Sequence, residues 1–222
     1  MNVAWRRRTI SGITVTDILF DLGNVLVPVD WERAFQRLEI HMSPDLVQMW
    51  KTDRPGFQAL FHDPGVALET GRIDFARFHE IMMGVLRLDL DVREFRTAWC
   101  DIFMLDERMA DLAESLSTEY GVWLASNTSR AHWRYIIARW PRLSFFKGVA
   151  LSFELNCMKP SPEYYRKAIE MFGVDPASSV FIDDLQDNVD GAVRSGMTGI
   201  VFQGRDQLLS DLHELGVYKP VH

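Results

Sequence analysis

The sequence predicts an α/β fold: a doubly wound parallel sheet with an inserted helical domain. Three observations carry this. Short β-like runs occur at residues 16–20, 121–125, 149–152 and 180–182, with a fifth candidate at 199–202. From the second run onward they alternate with helical patterns, and strands alternating with helices build parallel sheets covered on both faces. Between the first run and the second that alternation is missing, because residues 28–105 hold helical segments and no convincing strand.

The first strand opens the stretch ILFDLGNVLV, residues 18–27, an apolar run with one carboxylate in its middle. The insert that follows is punctuated by Ser43-Pro44, Arg54-Pro55-Gly56, Asp63-Pro64-Gly65 and Thr70-Gly71. Within it Asp74 is placed to cap a helix carrying Phe75, Phe78, Ile81, Met82 and Leu86, and Asp91 one carrying Phe95, Trp99 and Phe103. After the second strand, residues 129–140 form a helix with Trp133, Ile136 and Ile137 on one face. Ser161 caps the next, Pro162 sits in its first turn, and it runs to Phe172 and Gly173. Residues 188–195 give a further helix that stops at Gly196. The chain thus divides into a core, 1–27 plus 106–222, and a helical insert, 28–105.

Composition sets the broad class. A chain of 222 residues, 47% apolar and 25% charged, is that of an ordinary globular protein with room for a core and an accessory domain. No apolar run reaches the roughly 18 residues of a membrane span, so no membrane partner is expected. Arg6-Arg7-Arg8 precedes no apolar signal region and reads as a solvated tail. Two cysteines, Cys100 and Cys157, are too few for a disulfide framework, which favours a cytoplasmic location. The net charge of -7 argues against a nucleic-acid partner, while a small anionic substrate in a locally positive site remains compatible. No oligomeric state follows from these features.

In open parallel sheets, ligands bind beyond the carboxyl ends of the strands. Four polar groups fall there: Asp21 after the first strand, Ser126-Asn127-Thr128 after the second, Asp183-Asp184 after the fourth, and Lys159 just before a helix. An unpaired buried carboxylate is costly, so Asp21 needs a reason to be where it is. Three neighbouring carboxylates repel one another unless a cation lies among them, and a few oxygen ligands suit Mg²⁺, which shares its shell with substrate phosphate. Lys159 supplies a point charge and Ser126 a hydroxyl for phosphate oxygens. Gly23 and Asn24 allow a tight turn whose amides approach the same phosphate. Asp21 can then attack phosphorus and form an aspartyl-phosphate.

Taken in order, these motifs resemble those of the haloacid dehalogenase (HAD) superfamily. FDLGNVLV resembles the first motif, with Asp21 as nucleophile; LASNTS resembles the second, with Ser126 and Asn127. MKPSPEYY resembles the third, with Lys159, and FIDDLQDNVDGA the fourth, with Asp183, Asp184 and Asn188. The resemblance implies a Rossmann-like core with a helical cap and, among subgroups, is nearest to glucose-1-phosphate-type sugar phosphatases. It implies a Mg²⁺-dependent phosphatase acting on a small phosphorylated metabolite. Asp21 and Lys159 would be catalytic, and Leu22, Gly23, Ser126, Asn127 and Lys159 would bind phosphate. Asp21, the Gly23 carbonyl, Asp183 and Asp184 would hold the metal.

One position departs from the family. Most of its phosphatases carry a second acid two residues after the nucleophile, to protonate the leaving oxygen; here that residue is Gly23. Asp30 or a metal-bound water are the substitutes in view. Two other readings stay open: a metal-free dehalogenase whose aspartate attacks carbon, and a non-catalytic binding protein. In the cap, Trp31, Trp50, Phe57, Phe61 and Phe78 are candidates to line the site, although aromatic residues at helical spacing more often pack a core. Arg54 and His62 are weaker candidates.

Overall fold

The computed structural model describes residues 14–217, so the Arg6-Arg7-Arg8 tail lies outside the described residues. Five strands form one parallel sheet: β1 (Asp17–Phe20), β2 (Gly121–Ser126), β3 (Val149–Leu151), β4 (Ser179–Asp183) and β5 (Thr198–Val201), in the order β3-β2-β1-β4-β5. β1 is therefore central, with Phe20 in register with Leu124 on one side and Ile182 on the other. The expected strands are all present. β2 and β4 extend to Ser126 and Asp183, whereas Ser152, expected at the end of the third strand, starts a short helix instead.

Side chains alternate across this sheet with period two, and each face has its own apolar layer. Ile18, Phe20, Val122, Leu124, Val180 and Ile182 face one layer, which takes Met109, Leu112 and Leu116 from α7 (Glu107–Leu116). Leu19, Trp123, Ala125 and Phe181 face the other, against Tyr164, Tyr165 and Phe172 of α10 (Pro162–Phe172). Ala192 of α11 (Gln186–Arg194) completes that layer. A strand buried on both sides must be apolar throughout, which is why the β1 run reads as it does.

Between β1 and α7 the chain forms α1 (Trp31–Leu38), α2 (Pro44–Thr52), α3 (Arg54–Ala59), α4 (His62–Glu69), α5 (Phe75–Leu86) and α6 (Val92–Cys100). These helices bury a core of their own, with Phe35, Trp50, Phe57, Phe78, Phe95 and Trp99 among its members. The expected caps form: the Asp74 carboxylate accepts from Arg77 N and that of Asp91 from Arg93 N and Glu94 N. Ser161 occupies the N-cap position of α10 without a side-chain hydrogen bond.

Three expectations need correction. In α8 (Arg130–Arg139) the inward stripe is Ser129, His132 and Ile136, while Ile137 is exposed. His132 takes the buried place because its Nε2 reaches Trp99 O at 3.1 Å, binding α8 to the cap. Phe103 lies beyond the end of α6, in an extended stretch that bridges to Val29, so it joins the sheet layer rather than the cap core. Asp30 is the N-cap of α1 and accepts from Glu32 N at 3.0 Å, a structural task that explains it without catalysis.

Candidate active site

All four polar groups expected at strand ends do meet there. The chain leaves β1 at Asp21, whose N–H still donates to Ile182 O at 2.8 Å, so the sheet fixes its carboxylate at the carboxyl edge. The loop then folds back: Leu22 O accepts from Leu26 N and Val27 N at 3.0 and 2.9 Å. The tight turn expected at Gly23 and Asn24 forms. The left-handed residue is Asn24, with φ 55°, and not Gly23. Asn24 also donates from Nδ2 to Asp184 Oδ2 at 3.2 Å and accepts from Val29 N at 3.1 Å. No steric need fixes glycine at 23, since a Cβ there would meet only Val29 Cγ2, at 3.6 Å.

Lys159 is buried at the centre of the cluster. Its ammonium donates to Asp21 Oδ1 (2.7 Å), Asp183 Oδ2 (2.6 Å) and Ala125 O (2.9 Å), which satisfies all three protons. Burial alone would push its pKa down, but Asp21 and Asp183 outweigh that and hold it above the ordinary lysine value. The Asn127 side chain explains how Lys159 is placed. Its Nδ2 donates to Lys159 O at 3.0 Å and its Oδ1 accepts from Lys159 N at 2.9 Å. Asn127 therefore ties the β2 loop to the Lys159 segment, which leaves its main chain rather than its amide group to face a ligand. Ser126 Oγ is buried, and its contact to Asn127 O is long, at 3.4 Å.

The carboxylates are crowded. Oxygen atoms of Asp21, Asp183 and Asp184 lie within 4.8 Å of one another. Burial raises Asp21 to about 6 even with Lys159 beside it, and Asp183 adds to the rise. Asp184 is also raised, first by burial; the bond from Asn24 acts the other way, and the Asp183 charge adds to the rise. Asp183 accepts from Leu185 N, Lys159 Nζ and twice from Asn188 Nδ2, which fills its lone-pair sites. Three acids against one lysine leave an excess of negative charge that a divalent cation would neutralise. This all-oxygen donor set suits a hard ion. Asp21, the Gly23 carbonyl and Asp184 would hold it, with Asp183 acting through its charge or a bridging water.

The cap holds a cleft of about 350 Å³ whose lining reaches the core at Met158. Trp31, Trp50, Phe57 and Phe61 line it, as does Met158 next to Lys159. Of the candidate cap residues, Phe78 does not; it lies at the centre of the cap core. Trp50 and Phe57 do both, forming part of the cap core and of the cleft wall. Arg54 pairs with Glu32 at 2.5 Å and stacks over Trp50, while His62 reaches the cleft and contacts Asp63 at 3.1 Å. One acid in the cleft was not singled out from sequence: Glu69, the last residue of α4. Burial raises it to about 7, and the Asp21 charge adds to the rise. Nothing in the run Leu68-Glu69-Thr70-Gly71 distinguishes it from a helix end, since its meaning comes from what the cap faces.

A parallel sheet with an aspartate at the end of its central strand, a buried lysine and a pair of acids across the edge defines a hydrolase class built on a carboxylate nucleophile. Residues 18–196 match the family model for haloacid dehalogenase-like hydrolases, and the chain belongs to that family. It is 25% identical over 189 residues to D-ribitol-5-phosphate phosphatase of Bacteroides thetaiotaomicron, covering 79% of this chain and 85% of the relative. Over a shorter stretch of 59 residues it is 42% identical to a flavin mononucleotide hydrolase of Arabidopsis thaliana, covering 27% of this chain and 24% of that protein. A solved HAD family enzyme of Bacteroides thetaiotaomicron, complexed with magnesium and inorganic phosphate, is 25% identical. It superposes with a TM-score of 0.72 over 84% of this chain and 93% of that one.

Proposed function

We propose that this protein is a Mg²⁺-dependent phosphatase that hydrolyses a small phosphomonoester of the sugar-phosphate type through an aspartyl-phosphate. The observation that carries the reading is the cluster of Lys159 with Asp21, Asp183 and Asp184 at the sheet edge. A dehalogenase needs no cation there, and its carboxylate substrate would meet three acids; a binding protein has no use for a nucleophile held 2.7 Å from a lysine. The phosphatase reading also agrees with two curated relatives that act on phosphate esters and a solved relative that holds magnesium and phosphate.

In this mechanism the Asp21 carboxylate attacks phosphorus while Lys159 holds it in place. Lys159 also offsets the negative charge that gathers on the transferring group. The Ser126 hydroxyl and the amides of the Leu22–Gly23 and Asn127 segments bind phosphate oxygens. The divalent ion, when bound, neutralises the acids and screens phosphate from them. We place the cap at residues 28–105 and the core at 1–27 plus 106–222, with the leaving group between them.

The cap cleft is largely apolar, lined by Trp31, Phe57 and Phe61 among others, and sets no particular leaving group. A panel of phosphate esters decides: glucose-1-phosphate, glucose-6-phosphate, ribitol-5-phosphate and flavin mononucleotide, each with Mg²⁺ and with chelator. Turnover that needs Mg²⁺ is expected. Full activity in chelator would reject the metal-dependent reading, and the preferred ester identifies the leaving group.

A further inference from the structure

The site contains a nucleophile, a cation and a place for a metal, yet no acid at position 23 to protonate the leaving oxygen. We propose that Glu69, on the cap, is the proton donor to the leaving alkoxide and then the base that activates water. This inference rests on the phosphatase reading.

In-line displacement is the first support. The attacking and leaving oxygens lie on opposite sides of phosphorus. Asp21 attacks from the sheet edge, so the leaving oxygen points away from the sheet and toward the cap. Glu69 is the acidic residue lining the cleft on that side, together with Trp31, Trp99 and Met158.

Anchoring is the second. Ser152 Oγ accepts from Thr128 N at 2.9 Å and donates to Glu69 O at 2.6 Å. One hydroxyl thus ties Glu69 to the loop that carries Ser126 and Asn127. Next along the chain, Asn156 donates to Thr70 O at 3.1 Å. Gly71, at φ 69°, presses so close to Phe153 O that a Cβ there would lie 2.5 Å from it. The end of α4 is therefore fixed to the core, although the rest of that helix belongs to the cap.

Chemical state is the third. The Glu69 side chain has no ion pair or hydrogen bond with any described residue, and burial favours its protonated form. The rival groups are less suited. Asp30 is occupied as the cap of α1, and His62 is exposed and contacts Asp63.

The proton balance closes over one cycle. In the first half, Asp21 Oδ bonds to phosphorus, the ester P–O bond breaks, and the Glu69 proton passes to the leaving oxygen to give the free alcohol. In the second half, the Glu69 carboxylate takes a proton from water as its oxygen bonds to phosphorus. The Asp21–phosphorus bond then breaks, phosphate leaves and Glu69 is again protonated.

The test compares p-nitrophenyl phosphate, whose leaving group needs no proton, with ribitol-5-phosphate, whose alkoxide does. For Glu69→Gln, kcat/KM is expected to fall about 10²- to 10⁴-fold on the alkyl ester. On the aryl ester kcat/KM, which reports only up to the first P–O cleavage, changes little, and kcat falls on both because water is no longer activated. A retained burst of p-nitrophenolate in the first turnover also shows that the variant is folded. The double variant Gly23→Asp/Glu69→Gln should recover much of the alkyl rate, because the open space at Gly23 admits the acid that the position lacks. Alkyl kcat/KM unchanged in Glu69→Gln, or kcat/KM falling equally on both esters, would overturn the assignment. A measurement on the wild type alone bears on it as well: across aryl phosphates, kcat/KM should depend weakly on leaving-group pKa, and a steep fall would mean that no proton is delivered. If the wild type with Mg²⁺ hydrolyses neither ester, the phosphatase reading fails, and this proposal with it.

Discussion

Lys159→Met tests the organisation of the site without altering its shape. The unbranched methionine keeps most of the lysine stem in its buried channel beside Phe181. The ammonium is lost, and with it the donors to Asp21, Asp183 and Ala125 O. Two buried carboxylates are then left without a counter-charge. Breaking a buried pair in this way costs about 3–5 kcal/mol, a large part of the roughly 5–15 kcal/mol that stabilises a folded domain. The pH dependence gives the sign. Asp21 sits at about 6 with Lys159 present and must rise further without it, against 3.8 in the unfolded chain. A carboxyl with a raised folded pKa binds its proton more tightly when folded. The deficit relative to wild type is therefore full above the variant's Asp21 pKa and shrinks as pH falls from there to about 6, where wild type begins to bind the same proton. Urea unfolding of wild type and variant in chelator, at about pH 8 and about pH 5.5, measures this. A deficit of about 3–5 kcal/mol at the higher pH and a smaller one at the lower is expected. A deficit under about 1 kcal/mol at the higher pH, or one that widens on acidification, would refute the reasoning.

Two further substitutions separate chemistry from scaffolding. Asp21→Asn should abolish turnover of every phosphomonoester while changing stability by no more than about 1 kcal/mol, since it removes both a repelling charge and a lysine partner; near wild-type turnover would show that another group attacks. Asn127→Ala should cost about 1–3 kcal/mol in thermal unfolding and lower kcat, because both main-chain bonds that position Lys159 are lost; unchanged kcat would show that Lys159 is placed by other contacts.

The sequence by itself determined the sheet and its edge. Central parallel strands are buried on both faces, so each must be apolar throughout, and a carboxylate at the end of such a run is conspicuous. This is why Asp21, Ser126 and Asp183 could be set at strand ends from the sequence, and why the helical insert was legible as a break in alternation. The roles of Asn24 and Asn127 were less so. Of the pair expected to allow the tight turn, Asn24 rather than Gly23 takes the left-handed conformation, and Asn127 holds the Lys159 main chain across a gap of 32 residues, a contact that local spacing does not encode.

Tertiary structure decided the cap. Its aromatic residues serve as core, as cleft wall or as both, according to how six short helices pack, and no periodicity separates Phe78 in the interior from Phe61 at the cleft. Glu69 shows why. A carboxylate at a helix end is ordinary in sequence, and its charge becomes costly only once Ser152 ties the end of α4 to the core and the fold brings the Asp21 charge to bear on it. The strand-end acids follow from local pattern because the backbone itself carries them to the sheet edge. Glu69 is fixed against the β2 loop through packing between parts of the chain 83 residues apart, and packing over that span is set by the whole fold.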